Sequence, residues 1–414
     1  LPEGERILFT TFTRNLAADI ENNLRAICTP EEMKRIEVIN LDRWVQRLLR
    51  GRRYRFRLTF DRDGDAWREA LAKKPAELEL SGRFYNDEWE QVIQANGVTT
   101  REEYLRVART GRGVRLNRAA RAEIWPVFEE YRAQLAERGV MEVADCYRLA
   151  RALLERDRTG ADSVPPSRDG TFASVVVDEA QDMVAQAWRL IRSVVPNDRN
   201  DLFIVGDAHQ RIYSRHRVVL GRYGIEIRGR ARKLRLNYRT TEETRRWASR
   251  LLDRCLIDDL DGGSDSNRGV RSVTHGPEPR LEFFDTRDKQ AAWLVGFLKE
   301  ALRQGESLRG TCVVARTRTE RNVIADALTG ADLPVEVLEA DSPDETSSGV
   351  RVATMHRVKG LEFDCVVVAS VNEEFLPLAT AVPDNDGPAR TAAEIAERAL
   401  LYVAATRAKK ELVL

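Results

Sequence analysis

Two adjacent carboxylates, Asp178 and Glu179, close the run V-V-V-D-E-A-Q-D at residues 175–182. Three consecutive valines without alternation suit a strand covered on both faces, as in a parallel α/β sheet. Ligands of such sheets sit at the carboxyl ends of the strands. Two acids at such a place are held at a desolvation penalty unless a cation pairs with them, and Mg²⁺ carrying a nucleotide phosphate fits that need. The pattern is that of a nucleotide-hydrolase acidic motif, with Asp178 orienting Mg²⁺ and Glu179 polarising the attacking water. The plainer alternative is a strand followed by a solvated helix N-terminus, which also welcomes acids.

Such chemistry calls for G-x-x-x-x-G-K-[ST], whose backbone N–H groups and Lys cradle phosphates, yet no Gly-Lys dipeptide occurs in the chain. The chain starts at Leu1 without a Met, just before the strand-like I-L-F-T-T-F, and stops at E-L-V-L, in what reads as a final strand. The expectation is therefore an internal fragment whose phosphate loop lies upstream, the rival being a degenerate nucleotide hydrolase.

The elements that must position the acids can be read coarsely. Strand-like runs occur at 7–12, 36–41, 174–177 and 202–205, with a long helical insertion over roughly 61–160 between the second and third. Within it Ile124, Phe128, Tyr131 and Leu135 make an apolar stripe at helical spacing that reads as core. Pro165, Pro166 and Ser167 mark the return to the sheet. A second α/β region follows Tyr238, with strands near 280–285, 311–316, 350–354, 364–371 and 411–414 and helices around 287–303, 319–328 and 392–406.

A chain of 414 residues, 43% hydrophobic and 32% charged, is that of a globular protein of two or three domains. No apolar run approaches the ~20 residues needed to span a bilayer. Five scattered cysteines (Cys28, Cys146, Cys255, Cys312, Cys365) without C-x-x-C spacing argue against a disulfide framework or a zinc site and fit a reducing cytoplasm. The net charge of +1 names no partner, but Arg43, Arg47, Arg50, Arg52, Arg53, Arg55 and Arg57 crowd one stretch, interleaved with Trp44, Tyr54 and Phe56. That cluster reads either as a phosphate-backbone footprint or as a solvated face paired with nearby acids.

Six segments stand in a telling order: T-F-T-R-N at 11–15, V-D-E-A-Q-D at 177–182, V-G-D-A-H-Q-R-I-Y at 205–213, L-N-Y-R-T-T at 236–241, T-M-H-R-V-K-G-L-E-F-D at 354–364 and Y-V-A-A-T-R-A at 402–408. Together they resemble the UvrD/Rep-type superfamily 1 DNA helicases over nearly the whole chain. The resemblance implies an α/β fold of two RecA-like domains with parallel sheets: domain 1A at 1–60 and 161–238, a helical insertion 1B at 61–160, and domain 2A at 239–414. It implies an ATP- and Mg²⁺-dependent motor moving 3′ to 5′ on single-stranded DNA and at single/double-strand junctions, in repair, recombination or phage defence. No membrane is expected as a partner, and a linked or associated nuclease is left open.

By that resemblance, Asp178 holds the metal and Glu179 is the base. Gln210 contacts the γ-phosphate, an amide being able both to donate to phosphate and to accept from water. Arg239 and Arg407 are the γ-phosphate arginines, Tyr238 stacks on adenine, and Gly360 and Glu362 sense the nucleotide from the second domain. For the strand, Phe12 stacks on bases, while Asn15, Tyr213, Thr354 and His356 fall at DNA-contact positions. For Phe12 and Tyr213 core packing remains open, since both flank strands.

The chain also departs from the family. Where a Trp-Arg pair usually follows the Tyr of I-Y, it carries Arg215 and His216, so stacking there becomes guanidinium stacking or phosphate contact. V-I-N-L-D-R-W at 38–44 replaces the familiar T-F-H-S. Only some two dozen residues separate the helix near 319–328 from T-M-H, too few for the large accessory domain that many members insert. Two other readings stay open: a DNA-binding scaffold with inactive ATPase, supported by the missing phosphate loop, and a superfamily 1 RNA helicase.

Overall fold

The computed structural model describes residues 5–60, 64–159, 171–198, 200–213, 218–339, 348–383 and 387–414. They form two compact units. The first comprises Leu1–Asp207, His216–Arg228 and Leu260–Gly262; the second comprises Ala208–Arg215, Gly229–Asp259 and Gly263–Leu414. Pro165, Pro166 and Ser167 lie outside the described residues.

The first unit is built on four strands, β1 (Ile7–Thr10), β2 (Ile36–Val38), β3 (Ser174–Val177) and β4 (Leu202–Ile204). They lie in the order β2-β1-β3-β4, every pairing parallel. The β-branched run V-V-V fills β3, whose Val175 and Val177 are fully buried. Helix Leu41–Gly51 starts at Asn40, whose side chain accepts from Arg43 N. It packs Leu41, Trp44, Val45, Leu48 and Leu49 into the same core as Tyr147, Leu154, Trp188 and Ile191.

Between β2 and β3 lies a second, aromatic core holding Trp67, Trp89, Tyr104, Trp125, Phe128 and Tyr131. Trp67 stacks on Tyr131 at 3.9 Å, and Trp89 meets the same ring edge-on at 5.0 Å. The stripe Ile124, Phe128, Tyr131 and Leu135, on helix Arg118–Glu137, is buried as its periodicity predicts. Glu88 is wholly buried, and its charge is met by Arg109 at 2.6 and 2.8 Å and by the Tyr104 hydroxyl at 2.8 Å.

The second unit carries five parallel strands, β5 (Thr311–Ala315), β6 (Val335–Val337), β7 (Val350–Thr354), β8 (Phe363–Val368) and β9 (Ala408–Val413), in the order β6-β7-β5-β8-β9. Helices Arg287–Arg303 and Arg318–Gly330 open on Thr286 and Thr317, whose side chains accept the backbone N–H groups of Lys289 and Glu320. Two parallel α/β sheets are the fold class that the sequence predicts. Two local expectations differ. The expected strand at 280–285 contributes only a bridge from Arg280 to Val413, flanked by Glu282 N donating to Leu414 O at 2.9 Å. Strand β6, a short V-E-V, is not foreseen by the sequence pattern.

Candidate nucleotide and strand site

In the first unit, β3 ends at Val177 and the chain turns at once. Asp178 N donates to Thr10 O at 2.9 Å, which aligns the acid with the carboxyl end of β1. Glu179 then adopts φ 53 and ψ 40, a left-handed backbone that a non-glycine residue enters at a penalty of about 1–2 kcal/mol. Its N–H donates to Asp178 Oδ1 at 2.8 Å, so the turn fixes both acids together. Gln181, buried, donates to the Glu179 carboxylate and accepts from Asp207 N at 3.0 Å. A Cβ on Gly206 would stand 2.8 Å from that Gln181 oxygen and 3.0 Å from Ala180 Cβ, so only glycine lets the β4 end approach this closely. At the same strand ends, the hydroxyls of Thr10 and Thr11 are buried without a hydrogen-bond partner among the described residues.

In the second unit, three further expected positions, Arg407, Tyr213 and His356, gather with Lys359 around Gln210, at the end of the short helix Ala208–Gln210. Arg407, 2% exposed, lies between the end of helix Gly387–Ala405 and β9. Its Nε donates to Val403 O at 3.1 Å and its Nη2 to Gln210 Oε1 at 3.0 Å. Lys359, also buried, donates to Gln210 O at 2.6 Å, with its ammonium 5.6 Å from the centre of the Tyr213 ring. The Tyr213 hydroxyl donates to His356 O at 2.7 Å, and the two rings lie 5.9 Å apart.

His356 follows β7, whose last residue is Thr354. Burial, and then the nearby Arg316 guanidinium, push its pKa down to about 4, against the opposing pull of Glu397. Arg316 and Glu397 are themselves joined by two hydrogen bonds of 2.8 and 2.7 Å. Gly360, at φ 84, takes a left-handed turn with nothing within 4 Å of a Cβ, so backbone freedom is its requirement. Glu362 pairs with Arg239 Nε at 2.5 Å, both side chains being about two-fifths exposed. Tyr238 is 72% exposed.

Residues 2–217 match the family model of the UvrD/REP helicase N-terminal domain, more than half of the chain. The chain belongs to the UvrD/REP helicase family. Residues 336–414 of this UvrD/REP-family chain match the model of the UvrD-like helicase C-terminal domain. It is 24% identical over 232 residues to the mitochondrial ATP-dependent DNA helicase HMI1 of Saccharomyces cerevisiae, a match over 53% of this chain and 32% of that protein. It is 23% identical over 212 residues to an ATP-dependent helicase/nuclease subunit of Lactobacillus acidophilus, covering 49% of this chain and 17% of that one. A match to the ATP-dependent DNA helicase PcrA of Staphylococcus aureus is 34% identical over 96 residues, 23% of this chain and 12% of PcrA. The chain thus spans no more than 32% of the length of these curated relatives.

Of the residues expected to serve this UvrD/REP-family site, Asp178, Glu179, Phe12 and Asn15 belong to the first unit. Gln210, Tyr213, Tyr238, Arg239, Thr354, His356, Gly360, Glu362 and Arg407 belong to the second. Arg215, His216 and the side chain of Asn15 lie outside the described residues. Phe12 is half-buried and packs against the core of its unit. Sequence reading passes over Gln181, Gly206, Arg316 and Glu397. Gln181 stands in the quoted motif and Gly206 in the V-G-D of the next one, but Arg316 and Glu397 lie 81 positions apart and neither stands in a quoted motif that would signal their pairing.

Proposed function

We propose that these residues are the motor of an ATP-dependent DNA translocase or helicase that moves 3′ to 5′ on single-stranded DNA and at single/double-strand junctions. The observation that carries the reading is the Gln210 assembly. Gln210 accepts from Arg407 through its side-chain amide and from Lys359 through its backbone carbonyl, and Lys359 lies over Tyr213, which is fixed to His356. A contact network of this kind lets a residue poised for phosphate, Gln210 or Arg407, shift residues poised for the strand, Tyr213 and His356. In this reading domain 1A comprises 1–60 and 161–238, its helical insertion 61–160, and domain 2A 239–414.

The donor chemistry fits ATP with Mg²⁺. Mg²⁺ takes one or two protein carboxylates together with substrate phosphates and waters. Asp178 and Glu179 offer two, and no cluster of three or more His, Cys, Asp or Glu occurs among the described residues. Mg²⁺ held by Asp178 would neutralise phosphate charge. Glu179 would take the proton of the attacking water, Arg239 and Arg407 would stabilise the charge that develops on the γ-phosphate, and the exposed ring of Tyr238 would carry adenine. Glu362, paired with Arg239, would hold that guanidinium until phosphate displaces it. No Gly-Lys phosphate cradle occurs in these 414 residues, so hydrolysis by this mechanism would need a cradle supplied from other polypeptide. All five cysteines are free thiols, in keeping with work in a reducing cytoplasm. No helix among the described residues is long and apolar enough to cross a membrane. The match to a helicase/nuclease subunit supports a linked or associated nuclease, and the motor's work would lie in repair, recombination or phage defence.

The missing Gly-Lys favours one other reading, a DNA-binding scaffold without turnover. Steady-state ATP hydrolysis by the longest natural polypeptide carrying these residues, with and without single-stranded DNA, separates the two. Stimulation by the strand is expected; strand binding without any hydrolysis would establish the scaffold.

A further inference from the structure

The arginine-rich stretch at 43–57 divides sharply in the structure. Three of its seven guanidinium groups are committed within the first unit. Arg47 pairs with Glu37, Arg52 makes a two-pronged contact with Asp157, and Arg57 donates to Arg138 O at 3.4 Å. The other four, Arg43, Arg50, Arg53 and Arg55, are exposed, and their side chains have no hydrogen bond or ion pair among the described residues. Arg43, Arg47 and Arg50 lie on the solvent face of helix Leu41–Gly51, opposite the buried Leu41, Trp44, Val45, Leu48 and Leu49. From Arg43 to Arg50 that face runs about 10 Å along the helix axis. The chain then turns through Arg53, at φ 65, and Arg50, Arg53, Tyr54, Arg55 and Phe56 surround an open basin of about 510 Å³.

We propose that this face grips the phosphate backbone of double-stranded DNA, placing the duplex arm of a junction against the first unit. The inference rests on the DNA reading above and names a second DNA surface beyond the strand-contact residues. Guanidinium forks suit phosphate oxygens and cannot lose their charge. Four uncommitted guanidinium groups on one helix face and the turn after it form a cationic row anchored on ordered backbone, suited to a stiff duplex that carries one negative charge per ~1.7 Å of axis. Single strands, by contrast, are held by successive aromatic platforms. In this stretch Tyr54 alone offers an exposed ring, since Phe56 packs partly against the core. The cations also occur where the chain lacks the family's T-F-H-S segment.

The test is fluorescence-anisotropy titration of residues 1–414 and of Arg50→Gln/Arg53→Gln/Arg55→Gln against a single strand, a blunt duplex and a duplex with a 3′ tail, across a series of salt concentrations. These three side chains make no hydrogen bond or ion pair among the described residues, so the variant should keep the parent melting curve; the corresponding triple Arg→Lys variant checks charge against fold. For wild-type protein, log K on duplex should fall with log salt, and the Gln variant should reduce that slope by about 2–3, near 0.9 per phosphate lost. Its duplex affinity should drop at least about tenfold while single-strand affinity stays within about twofold. The Lys variant should retain most of the slope. Equal loss on strand and duplex, an unchanged duplex slope, or competition by poly-glutamate as strong as by duplex would each overturn the assignment while leaving the motor reading intact. Wild-type protein that binds none of the three DNAs would overturn both.

Discussion

Arg407 and Gln210, 197 residues apart in sequence, are joined by a 3.0 Å hydrogen bond from the guanidinium Nη2 to the amide Oε1. The same guanidinium donates to Val403 O at the end of a helix, so one buried side chain ties that helix to the loop of the proposed phosphate-reporting amide by two bonds. An ammonium on a flexible stem cannot reproduce both. Gln210→Ala should leave a buried charge short of an acceptor and destabilise the fold by about 1–3 kcal/mol. Arg407→Lys should recover little. A double-mutant cycle on chemical unfolding should find the pair coupled by at least about 0.5 kcal/mol; additive effects would mean that the contact carries no energy.

Glu179 joins function to backbone strain. Glu179→Gln removes the basic oxygen and should lower strand-stimulated turnover by at least ~10²-fold while nucleotide binding persists. Glu179→Gly and Glu179→Ala should both abolish turnover and both remove the acceptor of Gln181, but the glycine variant should be the more stable of the two by roughly 0.5–1 kcal/mol, because glycine enters the left-handed region without penalty. Unfolding in urea and a turnover assay read the two effects separately. A glycine variant no more stable than the alanine variant would show that the φ of 53 is not a source of strain.

His356 makes the second unit sensitive to acid. Its folded pKa, about 4, lies below the ordinary 6.5, so the unfolded chain binds the proton more readily. The stability tied to the neutral ring is therefore full above pH 6.5 and is lost as pH falls towards 4. Between about pH 7.5 and pH 5 the loss should be roughly 2 kcal/mol. Urea melts at both values should show that loss in the parent and a smaller one in His356→Asn. Parallel pH dependences would place the titration elsewhere.

Arg239 and Glu362 form an exposed pair, so little stability rides on it. Arg239→Ala should leave unfolding within about 0.5 kcal/mol of the parent, yet reduce strand-stimulated turnover far more than nucleotide affinity, as expected of a group used in the transition state. Equilibrium binding of a fluorescent nucleotide beside steady-state turnover makes the comparison. Equal loss in both would make Arg239 a ground-state binding group.

What the sequence could say follows from the range of its signals. The V-V-V run and its two acids announce a buried strand end because composition and position coincide within a single octet, and β3 ends where they imply. Strand β6 is illegible because V-E-V is too short to show a period. The run near 280–285 is apolar enough to read as a strand, but it leaves Phe283 88% exposed and bridges the sheet only through Arg280. The left-handed turn at Glu179 carries no glycine to betray it; contacts from Thr10 and Gln181 impose it. Gln210 and Arg407 are each legible as motif residues, whereas their contact exists only after the chain has folded. For the arginines at 43–57, spacing alone could not separate the three that meet partners from the four that do not.

Directional movement is tested most directly by streptavidin displacement from biotinylated single strands, using the natural polypeptide that carries these residues together with a phosphate cradle. With ATP and Mg²⁺, streptavidin should leave a 5′-biotin many times faster than it does spontaneously and leave a 3′-biotin at the spontaneous rate, and Glu179→Gln should abolish the difference. Displacement from the 3′ end, or at neither end despite ATP turnover, would contradict the account.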